Sequence, residues 1–102
     1  MITKKEMLAG RDEKAKTHLI QYAPVWIVEE TFNLPDQQMI FHAVFQHNRY
    51  GWVKRRYLYD AATDVLYHKG QVTLFEEEIY KLQETEPKFS TVVNDIPNAY
   101  GG

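Results

Sequence analysis

Between residues 25 and 68 the chain strings together four runs rich in aromatic and β-branched residues, parted by turn signals and never interrupted by anything of helix length. Runs this short and this closely spaced pair most readily with their neighbours in sequence, so an antiparallel meander forms the body of the fold. The first run covers 25–32 and gives way to Leu34, Pro35 and Asp36, which supply turn chemistry. The second covers 38–47 and alternates cleanly, with Met39, Phe41, Ala43 and Phe45 on one face and Ile40, His42, Val44 and Gln46 on the other. Asn48 and Gly51 tolerate the positive φ of a tight turn before the third run, 52–60. There Trp52, Lys54, Arg56 and Leu58 alternate with Val53, Arg55, Tyr57 and Tyr59. A short fourth run, 65–68, ends at Lys69 and Gly70.

After this tract the period changes from two to helical. Thr73 and Glu76 have the spacing of a capping box, and Phe75, Ile79 and Leu82 repeat along one stripe, which predicts a helix over 74–84. Glu76, Glu77 and Glu78 sit where carboxylates favour the positive end of the helix dipole. Thr3 and Glu6 form a similar box near the start, so a short N-terminal helix is expected within 4–20, with Leu8, Ala15, Leu19 and Tyr22 along one face. Gly10 weakens that helix, and the charged 11–16 stretch makes 1–16 read as a frayed leader. Pro24 ends it, and residues 17–22 offer an extra strand as the alternative. Beyond Pro87, residues 86–102 read as an extended tail. The expected architecture is one α+β domain over 1–102: a four- to five-stranded antiparallel meander packed by the C-terminal helix.

At 102 residues the chain supports one modest core. Twelve Lys and Arg stand against 14 Asp and Glu, so no global charge directs it to a polyanion, and a partner must be argued from local patches. Without cysteine there is no thiolate nucleophile, disulfide or Cys-ligated zinc. The first residues lack the apolar stretch of a signal peptide, and the longest apolar run, 22–28, is far shorter than the roughly 20 residues a membrane span needs. A cytoplasmic location is the expectation.

The most suggestive constellation is Trp52, Lys54, Arg55, Arg56, Tyr57 and Tyr59 on one strand, following Arg49 and Tyr50. Basic groups beside rings suit phosphates and stacked bases, so a single-stranded nucleic-acid binder is one reading. The stretch from Tyr50 to Val53 echoes part of an RNA-recognition strand, but Asn48, Arg49 and Arg55 stand where that pattern needs a basic residue, a glycine and an aromatic. The same pattern arises when long basic stems lie over a half-buried sheet. His42 and His47 differ by an odd number and so point to opposite faces, which argues against a shared metal. Glu29 and Glu30 likewise diverge; one of them, brought together with His42, Arg55 and Tyr57 inside a curved sheet, would make a small-ligand pocket or a minor enzyme. The five glycines are scattered and Ser90 is the only serine, so neither a phosphate loop nor a serine nucleophile is indicated. No cofactor is implied. Aromatic residues make up 14% of the chain, and Tyr and Trp are favoured at interfaces. The leading reading is therefore a small non-enzymatic interaction, assembly or regulatory subunit whose aromatic and basic sheet face engages a protein partner or a second copy of the chain.

Overall fold

The computed structural model describes residues 2–22 and 24–85. They form α1 (Lys4–Leu19), β1 (Trp26–Asn33), β2 (Gln38–His47), β3 (Gly51–Asp60), β4 (Val65–Thr73) and α2 (Glu76–Thr85). The strands lie in the order β1-β2-β3-β4, each antiparallel to the next, so the fold is an α+β meander with a helix on either side in sequence. The tail expected over 86–102 lies outside the described residues.

Helix α1 starts at the expected cap: Glu6 N–H donates to the Thr3 hydroxyl at 3.2 Å, and Thr3 N–H donates to the Glu6 carboxylate at 3.0 Å. It then continues through Gly10 and the charged stretch. Residues 17–19, the beginning of the alternative extra strand, complete the helix, and the sheet has four strands. What holds so charged a helix is a stripe four residues apart, Met7, Arg11, Ala15 and Leu19, all buried against the sheet. Gly10 permits this approach, because a Cβ at that position would collide with the Tyr59 hydroxyl. Beneath the helix lie Ile27, Met39, Phe41, Ala43, Phe45, Val53, Tyr57, Tyr59 and Leu66, the main core. Burying rings such as Phe41 and Phe45 contributes roughly 1.5–3 kcal/mol each.

The principal core is thus made by α1, while α2, the C-terminal helix expected to pack the sheet, covers its opposite face. Ile79, with Leu82 and Leu74, packs on Val28, Val44, Trp26 and Trp52, a smaller cluster on the opposite face of the sheet. Helix α2 also begins later than the Thr73–Glu76 box predicts. Thr73 is opposite Val53 in the ladder, and Leu74 N–H donates to the Trp52 carbonyl at 2.9 Å, so the chain is still sheet where the cap was expected. The first helical bond runs from Ile79 N–H to the Phe75 carbonyl at 3.2 Å.

Both edge strands carry a β-bulge. In β1, Val28 faces His42 and Thr31 faces Ile40, so Glu29 and Glu30 together oppose the single residue Phe41, with Glu29 held at φ +52°. In β4, Tyr57 faces His68 and Arg56 faces Gly70, which leaves Lys69 as the extra residue beside a glycine at φ +142°. Gly70, read from sequence as the end of the strand, is a bulge glycine through which β4 runs on to Thr73.

Candidate binding face

The six residues singled out on β3 divide between the two faces. Arg55, Tyr57 and Tyr59 point toward α1. Tyr57 is fully buried, its ring stacked on Phe41 with centroids 5.3 Å apart and met edge-on by His18 at 6.2 Å. Its hydroxyl accepts from Arg55 Nη1 at 2.9 Å, and burial pushes its pKa up. Tyr59 is also buried and donates to Asp64 Oδ1 at 2.6 Å; burial raises its phenol, while the same hydrogen bond lowers the Asp64 carboxyl. Arg55 lies over the Phe45 ring at 5.0 Å and donates from Nε to Gln71 Oε1 at 2.7 Å. These three residues knit the core together.

Trp52, Lys54 and Arg56 occupy the other face. Trp52 packs against Trp26 with centroids 5.9 Å apart in the cluster that α2 covers. The β1 bulge turns Glu29 to this side, where its carboxylate accepts from Lys54 Nζ at 2.6 Å and lies 3.6 Å from His42 Nδ1. The hydrogen bond from Lys54 holds the Glu29 carboxyl below its usual range. Burial is the main influence lowering the His42 pKa, opposed by the backbone carbonyl of Glu29 at 3.5 Å. Glu29 and His42 therefore meet, while Arg55 and Tyr57, the other two residues of the pocket read from sequence, lie through the sheet on the α1 side. Glu30 points away from Glu29 and forms an ion pair with the buried Arg11 at 2.5 Å. His47 stacks with Tyr22 at 5.2 Å, on the far side from His42, and among the described residues no group of three or more His, Cys, Asp and Glu side chains could hold a metal ion.

Beyond α2 this face opens into a cleft of about 320 Å³ lined by His42, Lys54, Arg56, Lys69, Gly70, Gln71 and Val72. The β4 bulge glycine is part of its lining, and nothing stands within 4 Å of where a Gly70 side chain would begin. Next to it runs the row Thr31, Ile40, Leu58 and Tyr67, set side by side by the strand register, and one row further Val65 faces Asp60. Tyr67 is 45% exposed and Val65 38%. A shallower hollow of about 140 Å³ lies at Thr31, Ile40 and Leu58. The surface is thus a basic cleft beside an apolar, aromatic row. Sequence reasoning placed Lys54 and Arg56 on it but missed Lys69, Gly70 and Tyr67; the signal available was Val72, whose strand character shows that β4 resumes past the glycine.

The edges offer a partner less. Each is broken by its bulge and carries a charged residue there, Glu29 on β1 and Lys69 on β4, devices that discourage strand addition. Comparison of the chain with protein-family models, with curated proteins and with solved structures gives no match.

Proposed function

We propose that the chain is a small non-enzymatic interaction module, and that it engages a protein partner through the sheet face beside α2. One observation carries the reading: the row of Ile40, Leu58 and Tyr67, left open by the described residues, lies directly against the basic cleft of Lys54, Arg56 and Lys69. An apolar aromatic strip flanked by cations complements a partner segment that sets apolar side chains next to anionic ones. The blunted edges favour docking on the face over strand addition. Tyr57 and Tyr59, the rings that stacking of bases would need, are core residues, which disfavours the single-stranded nucleic-acid reading. The separation of Glu29 and His42 from Arg55 and Tyr57 likewise disfavours an acid–base pocket.

The test is a comparative capture from native lysate with wild type, Arg56→Glu and Tyr67→Ala, combined with light scattering of each purified chain. Proteins held by wild type and lost from both variants support the module, as does a wild-type dimer that both variants dissolve, in which case the partner is a second copy. Equal recovery on all three proteins, with a monomeric wild type, refutes it.

A further inference from the structure

We infer that the cleft between Lys54, Arg56 and Lys69 is a phosphate-monoester site, and that it takes a phosphorylated side chain of the partner. The inference rests on the interaction reading above and specifies its anchoring group.

Charge comes first. Three cationic side chains line the cleft, and the Glu29 carboxylate pairs with one of them, Lys54, at 2.6 Å. Arg56 and Lys69 form no ion pair among the described residues, so two positive charges face the cleft uncompensated. A phosphate monoester carries roughly −1.5 to −2 at pH 7, whereas a carboxylate or a backbone phosphodiester carries a single charge. The dianion therefore matches the deficit and the others leave a cation unpaired.

Shape agrees with charge. Arg56 and Gly70 are direct partners across the β3–β4 ladder and both line the cleft, and nothing stands within 4 Å of where a Gly70 side chain would begin. The planar Arg56 guanidinium can take two phosphate oxygens at once, and the Lys54 and Lys69 ammoniums add point charges. The volume of about 320 Å³ admits a phosphorylated side chain, and the adjoining Leu58 and Tyr67 are placed to receive the residues that follow it.

The probe is phenyl phosphate, followed by amide NMR on the full chain, with benzoate and dimethyl phosphate as singly charged controls. Phenyl phosphate is expected to shift the Gly70, Gln71 and Val72 amides saturably, about tenfold more tightly than either control, with Arg56→Gln and Lys69→Gln each weakening it about fivefold. Both residues are exposed, so unchanged signals from the α1 core will verify that the variants fold. Equal affinity for the three probes, or no localised shift, overturns the site. A second arm treats the lysate with phosphatase before capture. Loss of the partners that Arg56→Glu also loses supports a phosphorylated side chain. Partners that survive phosphatase but not Arg56→Glu overturn this inference and leave the module standing, since their anchor is then carboxylate. If phenyl phosphate binds but no partner distinguishes wild type from Arg56→Glu and Tyr67→Ala, the module fails and the phosphate comes from a small molecule.

Discussion

Arg11 sits in the middle of the stripe by which α1 grips the sheet, only 3% exposed, and its removal should be felt throughout the fold. Its Nη1 meets Glu30 at 2.5 Å, its Nε meets Asp12 at 2.7 Å, and its guanidinium lies 5.4 Å from the centre of the Phe41 ring. Arg11→Met keeps most of the stem volume but takes the guanidinium from a carboxylate whose side chain is only 15% exposed. Breaking a buried pair from one side costs about 3–5 kcal/mol, and the residual water access of Glu30 points to the lower end, about 3 kcal/mol. Glu30→Gln should cost less, about 1.5 kcal/mol, because Arg11 keeps its bond to the more exposed Asp12 and its place over Phe41. In a domain of this size each kcal/mol moves the midpoint by roughly 4–8 °C, so Arg11→Met should lower Tm by about 12–24 °C. The double variant Arg11→Met, Glu30→Met removes both charges and fills the same space with apolar atoms; it should return to within about 1 kcal/mol of wild type or exceed it. Urea titrations of the four proteins give the comparison directly. An Arg11→Met cost under about 1 kcal/mol, the range of surface ion pairs, would refute the argument. So would a double variant as unstable as the two single losses added together.

Two further measurements probe other parts of the same arrangement. Gly10→Ala should gain up to about 1 kcal/mol from helix propensity alone, yet the Cβ would meet the Tyr59 hydroxyl; net destabilisation of about 1–2 kcal/mol is expected, largely relieved when Tyr59→Phe is added. A stabilising Gly10→Ala would show that α1 does not approach β3 this closely. His42 has its folded pKa depressed from the ordinary 6.5, chiefly by burial, with Glu29, Lys54 and Arg56 as the charged groups acting on it. The unfolded chain therefore binds the proton first: the stability present above pH 6.5 declines as pH falls toward the folded pKa, and His42→Gln should flatten that decline in urea midpoints measured from pH 7.5 to 5.5. Glu29 acts in a lower window, since its depressed carboxyl loses its contribution only below its ordinary 4.5. A variant with the wild-type slope would assign the pH dependence to another group.

The meander was legible because its evidence is local. The alternation of Met39, Phe41, Ala43 and Phe45 against Ile40, His42, Val44 and Gln46 needs only the period of a strand, and the Thr3–Glu6 box needs only four residues. What was not legible depends on pairs distant in sequence. Arg11 reads as solvated until Glu30 is known to lie beneath it, and Glu30 reaches it only because the β1 bulge re-aims the strand. Thr73 with Glu76 has the spacing of a cap, but the Thr73 backbone is held by its ladder position opposite Val53, and that tertiary pairing overrides the local signal. Gly70 carries the same one-residue evidence for a turn and for a bulge; Val72 beyond it is the hint in the sequence, and the register with Arg56 decides between them. The candidate site was half legible for this reason: Lys54 and Arg56 share a face by simple alternation, while Tyr67 joins them through the β3–β4 hairpin register and Lys69 through the bulge that shifts that register by one.

The two bulges also bear on why the cleft exists. Both fall beside one row across the sheet, Val28, His42, Arg56 and Gly70, so this row is where each edge departs from regular pairing. On the same face, Trp26 and Val44 lie to one side of it under α2, and Ile40 and Leu58 lie to the other. A sequence selected only for stability would continue the apolar pattern through the row, extend the cover of α2, and spare itself a non-glycine residue at φ +52° that costs about 1 kcal/mol or more. Instead the row carries His42 and Arg56, a glycine pairs with Arg56 in the ladder, and the bulges bring Glu29 and Lys69 to its ends. Departures from local consistency that gather beside one row are what the proposed docking face would require. The Arg11–Glu30 pair behaves differently: it uses the same β1 bulge but converts it into a bond between helix and sheet. The bulge at Glu29 and Glu30 therefore serves the core with one carboxylate and the open face with the other, and the bulge at Lys69 serves the open face alone. Removing the second bulge by deleting Lys69 should restore regular β4 pairing and leave the α1 core intact, while abolishing the cleft; a deletion variant that binds phenyl phosphate as well as Lys69→Gln does would break the link between bulge and site.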